Sequence, residues 1–278
     1  MCIKRRKNAI YLDQTDYLKK VLQRFQMSNA KASKTPLPEG YNPEPNKESV
    51  DSERRSLFQQ VIGSLLYIML GTRPDICYAV TKMLQFSANP SKEHLDKALY
   101  ICRYLAGTSN YALVYDGGSQ KGLLAYSDSD WAADKSNRRS VTGYFFKVAN
   151  GIFSWRSQAQ KTVALSSTEA EYMALSDCSR QAVWLKTLLE ELGMPLKAIP
   201  LYGDNQGSIF NASNPVQEKR MKHIDIQYHF IRQCIEDGKV ELMFVEGINN
   251  PADLFTKNLG NIKFSKFRSQ LGLEFYST

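Results

Sequence analysis

The chain has 278 residues, 43% of them hydrophobic and 23% charged, an ordinary globular balance that excludes disorder throughout. Its formal net charge of +8 points to a polyanionic partner. Five scattered cysteines without a CxxC pair exclude a zinc finger, and no apolar run reaches the ~20 residues of a membrane span; the expectation is a soluble, intracellular protein, cytoplasmic or nuclear, with reduced thiols and no membrane partner.

The first thirty residues open on a basic cluster, Lys4-Arg5-Arg6-Lys7. The stretch "DQTDYLKKVLQRFQM" follows, with Tyr17, Leu18, Val21, Leu22 and Phe25 at helical spacing. Four prolines between Pro36 and Pro45 rule out regular structure and predict an extended or linking segment. Residues 51–107 read as helix, broken at "TRPDI" because Pro74 disfavours a helical Arg73. The texture changes after the turn-forming "YDGGSQKG" at 115–122. Strands are expected at 122–129, 141–149 and 152–158. A long helix follows from about Thr168 to Leu192, with Met173, Ala174, Cys178, Ala182, Leu185, Leu189 and Leu192 on one stripe. A strand at 198–204 leads to a short helix near 206–212. A helix near 222–237 then precedes the strand "KVELMFVE", and Pro251 starts a last helix with Asn250 as its cap. Three meandering strands followed by alternating helix and strand imply an α/β fold, one mixed sheet with helices on its faces.

Four acids fall at comparable places in that order. Asp128 closes the first of these strands and Asp204 the fourth; Glu171 lies in the first turn of the long helix, and Asp253 just past the last strand. Two carboxylates ~4 Å apart at an effective dielectric near 20 repel by about 4 kcal/mol. A cluster of them therefore needs protons or a cation, and all-oxygen ligands select Mg²⁺ or Mn²⁺. Each acid has a plainer reading too. "Thr168-Glu169-Ala170-Glu171" fits a capping box with Glu171 at its third helical position, Asp253 could serve a helix dipole, and Asp130 fits a turn.

The motifs "YSDSDWAADKSNRRSVTGYFF", "SWRSQAQKTVALSSTEAEYMAL", "LYGDNQGSI", "KHIDIQYHFIR" and "PADLFTK" resemble, in that order, the ribonuclease H region of copia-type retrotransposon polyproteins. "YLKKVLQRFQM", "TPLP", "GSLLYIMLGTRPDICYAV" and "HLDKALYICRYLAGT" are similar to the end of the reverse transcriptase just upstream. The resemblance implies a ribonuclease H-like mixed five-stranded sheet with flanking helices over 116–278. It places a smaller, mainly helical remnant, thumb- or connection-like, over 1–115. It further implies cleavage of the RNA strand of RNA–DNA hybrids with two Mg²⁺ ions, Mn²⁺ substituting, and Asp128, Glu171, Asp204 and Asp253 as catalytic metal ligands. Gln206, Ser167 and Thr168 correspond to contacts with the hybrid, the last two near RNA 2′-hydroxyls, the group that marks RNA. Arg138, Arg139, Arg156 and Lys161 would hold phosphates, with a solvated surface as their plainer reading. The remainder of a reverse transcriptase is the second implied partner.

Departures from the family pattern are few. Gly203 stands where cysteine is frequent, and "VEGINNPAD" lacks the histidine that often precedes the last acid. His223 lies on an expected helix and reads as packed or capping. No Asp-Asp pair occurs, so the polymerase turn is missing from this chain. The alternative function is a non-catalytic nucleic-acid-binding module from a truncated or host-adopted retroelement.

Overall fold

The computed structural model describes residues 1–117, 122–133, 137–213 and 225–276. In chain order the first elements are β1 (Cys2–Arg6), β2 (Ala9–Asp13), α1 (Thr15–Arg24), α2 (Ser52–Gly71), α3 (Cys77–Leu84), α4 (Lys92–Gly107) and β3 (Tyr111–Asp116). Next come β4 (Leu124–Asp130), β5 (Val141–Val148), β6 (Gly151–Ala159), α5 (Ser167–Glu191), β7 (Ile199–Gly203), α6 (Gln206–Ser213), α7 (Asp225–Glu236) and β8 (Val240–Phe244). Two short 3-10 turns, Gly247–Asn249 and Pro251–Phe255, precede α8 (Asn261–Gln270) and β9 (Leu273–Phe275). These elements divide between two compact units. One comprises Met1–Ser119, Ala149–Ile152 and Lys257–Thr278; the other comprises Gln120–Val148 and Phe153–Thr256. Against the sequence division at 115/116, the C-terminal α8 and β9 thus lie with the N-terminal unit.

The first unit is mainly helical, as its sequence implies. α2 buries Phe58, Val61, Ile62, Leu65 and Ile68 almost completely, against a face of α4 that carries Ala98, Ile101, Cys102 and Leu105. Each such large side chain contributes about 1.5–3 kcal/mol on leaving water. Asp51 caps α2 by accepting from Arg54 N at 2.6 Å, and Ser91 and His94 cap α4 reciprocally. The proline-rich segment is irregular and buries Leu37. Arg73 leaves helical geometry ahead of Pro74, which opens a 3-10 turn. Sequence reasoning did not anticipate a four-stranded sheet in this unit, ordered β1-β2-β3-β9. Its edge pair β3–β9 joins Leu113 to Leu273, partners too distant in sequence to leave a local signal.

In the second unit the sheet order is β6-β5-β4-β7-β8, with β4 antiparallel to β5 and parallel to β7, and β7 parallel to β8. This is the mixed five-stranded, ribonuclease H-like arrangement expected from the sequence, with helices against it. α5 lies on the sheet through Tyr172, Leu175, Cys178, Ala182 and Leu185, spaced by three and four residues. They share a core with Ala125, Phe146, Leu201 and Val240 from four strands. Burial in that core pushes the Cys178 thiol well above its ordinary pKa, as expected for a packing residue and not a nucleophile. Two details of the helical reading change. Leu192, expected on the buried stripe, falls just past the end of α5 and is exposed. The segment begun by Pro251 is a five-residue 3-10 turn, although Asn250 does cap it, accepting from Ala252 N at 3.1 Å.

Candidate metal centre

β4 carries Asp128 to the point where β5 offers Gly143 as its cross-strand partner. A Cβ on Gly143 would lie 2.7 Å from Phe255 Cβ and Thr256 Cγ2 and 2.9 Å from the Phe255 carbonyl carbon. Glycine there lets the end of the Pro251–Phe255 turn press flat on the sheet beside Asp128. The result is a brace: the Thr256 hydroxyl, fully buried, donates to Asp128 Oδ2. One turn earlier, Asn250 Nδ2 donates to Ser127 O at 2.9 Å, fixing the strand residue before the acid.

Glu171 approaches from α5. Ser166, not Thr168, caps this helix, accepting from Glu169 N at 3.1 Å, and the Glu169 carboxylate accepts from Leu165 N at 3.0 Å. The capping role expected of Glu171 is therefore taken by Glu169, two residues earlier. Glu171 instead points at the strand, where its Oε1 accepts from Ser129 N at 3.1 Å. Gln160 ties α5 to β4 and β5: its Nε2 lies 2.9 Å from Ala170 O, 3.4 Å from Ser129 Oγ and 3.1 Å from Thr142 Oγ1, while its N–H donates to Ser140 O at 2.8 Å.

Asp204 follows β7 directly and is half-buried. Opposite it, a Cβ on Gly247 would come within 2.9 Å of its Oδ2. The three acids meet: Asp128, Glu171 and Asp204 each offer a carboxylate oxygen within 4.8 Å of the others. At such separations each pair of charges repels by a few kcal/mol even at an effective dielectric near 20. The donors on Asp128 and Glu171 hold one oxygen of each carboxylate and so orient the other, while glycine at 247 keeps a side chain from crowding Asp204. An all-carboxylate donor set held in this way fits a hard divalent cation such as Mg²⁺ or Mn²⁺.

Asp253, the fourth acid singled out by sequence, is buried, and its carboxylate is not among the three that lie within 4.8 Å of one another. Its backbone carbonyl accepts from Thr256 N at 3.2 Å, so it is joined to Asp128 through the threonine. Ser167 and Thr168 occupy the first turn of α5, and Thr168 Cγ2 lies 3.4 Å from where a Gly207 side chain would begin. Gln206, exposed at the start of α6, is thereby adjacent to Thr168. Arg138 and Arg139 are exposed on the β4–β5 connection, Lys161 just after β6, and Arg156 on β6, where its guanidinium is bonded to the Gln158 side chain. His223 lies outside the described residues. Thr256, Gln160 and the two glycines carried no sequence signal of their own beyond polar or small residues inside acid-bearing motifs.

No family model matches the chain. It is 39% identical over 275 residues to the Retrovirus-related Pol polyprotein from transposon TNT 1-94 of Nicotiana tabacum, a match spanning 97% of this chain and 21% of that polyprotein. It is 38% identical over 274 residues to the Retrovirus-related Pol polyprotein from transposon RE1 of Arabidopsis thaliana, spanning 97% of this chain and 18% of the other. The chain thus spans about a fifth of the length of these curated relatives. Among solved structures it is similar to LC11-RNase H1 isolated from compost, with 14% identity and a TM-score of 0.39 over 53% of this chain and 98% of that one.

Proposed function

Because the chain belongs to the family of copia-type retrotransposon Pol polyproteins, we propose that its second unit cleaves the RNA strand of RNA–DNA hybrids in a metal-dependent reaction. The observation that carries this reading is the convergence of Asp128, Glu171 and Asp204 from a strand, a helix and the end of a neighbouring strand. Hard divalent ions at such a site supply an activated water and stabilise the leaving oxygen of a phosphodiester. The chain's own part is to present the ligands without rearrangement. Thr256 holds Asp128, the Ser129 amide holds Glu171, and Gln160 bonds to β4, β5 and α5 alike. Asp253 acts in this reading from outside the three-acid cluster, through the turn that positions Thr256. Ser167, Thr168 and Gln206 lie at two adjacent helix starts, in keeping with a row of contacts along the hybrid, and Arg138, Arg139, Arg156 and Lys161 serve as phosphate contacts. The first unit, 1–115 with the C-terminal α8 and β9 added, is read as the thumb- or connection-like end of a reverse transcriptase.

A labelled RNA–DNA hybrid incubated with Mg²⁺ tests the proposal. Wild type should release RNA fragments, and Asp204→Asn should slow release by at least about 1,000-fold, the several kcal/mol that ligand-held metal supplies to the transition state. Equal cleavage by the variant overturns the site. Salt-sensitive binding of the hybrid with no cleavage by wild type selects the non-catalytic binding module.

A further inference from the structure

Trp131 is the first residue beyond β4, three residues past Asp128. It is 47% exposed, yet its ring is not loose: Nε1–H donates to Ala164 O at 3.1 Å. That bond uses the only polar atom of the indole and pins its edge to the segment leading into α5, so that what remains for a partner is the apolar ring. The same segment exposes Val163 and Leu165, the latter by 73%. An exposed tryptophan beside two exposed aliphatic residues is costly on a solvated surface and marks a contact site.

The surroundings favour one kind of occupant. Ser140 accepts through Oγ from Ala132 N at 3.1 Å and through its carbonyl from Gln160 N at 2.8 Å. Exposed cations thus stand one residue from each of these bonds, Arg139 beside Ser140 and Lys161 beside Gln160. On the other side, Ser129 donates to Glu171 of the acid cluster and stands two residues, at most about 7 Å of backbone, from Trp131. Apolar surface framed by cations next to a cation-binding cluster suits a polyanion that also presents carbon: a nucleic-acid strand, with its sugars and base edges between phosphates.

We propose that Trp131, with Val163 and Leu165, forms a ledge that packs against the sugar and base edge of a nucleotide close to the cut phosphate, in the shallow groove of an RNA–DNA hybrid. The inference rests on the hybrid-cleavage reading above and adds to it a contact that selects and seats the substrate without touching its charge. Such a contact strengthens binding without releasing counterions, so it leaves no mark on the salt dependence.

Fluorescence anisotropy of a labelled hybrid, in an Asp204→Asn background that keeps the RNA intact, separates the outcomes. Trp131→Ala should weaken binding roughly tenfold, the scale of one lost aromatic contact, with the slope of log affinity against log salt unchanged. Trp131→Phe should recover most of the loss. Leu165→Ser, at a position too exposed to matter for folding, should weaken binding by about threefold and keeps the test alive if Trp131→Ala does not fold. Arg139→Ala is the contrast: it should lower the salt slope by about one. If Trp131→Phe and Leu165→Ser bind as the parent does, and Trp131→Ala likewise wherever it folds, the ledge is overturned and the cleavage reading stands. If the parent does not bind hybrid but the ledge captures an apolar peptide, both readings fall.

Discussion

Asp75 and Asp128 are each 2% exposed, one in each unit, yet they are buried in opposite ways. Asp75 is closed by its own chain. Arg73 donates to its Oδ1 from Nε at 2.9 Å and to its Oδ2 from Nη2 at 2.8 Å, and Tyr104 OH donates at 2.6 Å. Two further guanidinium N–H groups reach Thr108, through O at 3.0 Å and Oγ1 at 2.7 Å. Burial alone would weaken the charge on Arg73; Asp75 more than offsets it and raises the guanidinium pKa. Burial, reinforced by Asp75, likewise raises the Tyr104 hydroxyl. Asp128 is instead turned toward two further carboxylates. The lesson is that burial of an acid says little about function. What its oxygens face decides whether it locks a fold or awaits a cation.

The comparison makes opposite predictions for the same chemical change. Asp75→Asn leaves Arg73 buried without its counter-charge and should cost about 3–5 kcal/mol of stability. Asp204→Asn removes one of three mutually repelling charges. In chelator it should melt at or above wild type, and Mg²⁺ should raise the wild-type melting temperature while doing little for the variant. At a hundredfold excess over the dissociation constant the wild-type gain is about 2.7 kcal/mol. Scanning calorimetry of both variants with and without Mg²⁺ reads all of this. An Asp204→Asn protein that melts well below wild type in chelator would mean that Asp204 is structural, as Asp75 is, and the contrast would be lost.

A sharper form of the contrast concerns what holds Asp128. Arginine neutralises Asp75, whereas the Thr256 hydroxyl orients Asp128 while leaving its charge in place. Thr256→Val keeps the shape and loses the donor, and should weaken Mn²⁺ binding by about 10–100-fold, the range for groups that orient metal ligands. Thr256→Ser should restore most of it. Calorimetric Mn²⁺ titration measures this directly, independent of turnover, and equal affinities for valine and threonine would remove Thr256 from the site.

The sequence reading went furthest where chemistry and periodicity coincide. Acids ending apolar strands, and a long helix with a clear stripe, were enough to anticipate a mixed sheet covered by helices and to single out Asp128, Glu171 and Asp204 along with Asp253; the order β6-β5-β4-β7-β8 is legible only in the structure. It fell short where the decisive term is long-range. The β1–β2 hairpin hides in a basic run with little alternation, and β3 finds β9 only after the chain has traversed the second unit. Thr256 and Gly143 matter through close packing across the sheet, which neither residue type announces. Asp253 is joined to the other acids in sequence by motif; in the structure its backbone carbonyl accepts from Thr256, and its carboxylate is not among the three that lie within 4.8 Å of one another.

The smallest effect tests the start of α5, where "SSTEAE" contains two overlapping capping patterns. With Ser166 as cap and Glu169 at the third helical position, Ser166→Ala should cost about 1 kcal/mol, while Thr168→Ala should cost a few tenths. Had Thr168 been the cap, the two values would exchange and Glu171 would be spent on the helix end. The register therefore decides whether Glu171 belongs with Asp75, as a group consumed by the fold, or with Asp128. Chemical denaturation of the two alanine variants resolves it: a larger loss for Thr168→Ala would return Glu171 to the cap and leave the metal site with two carboxylates.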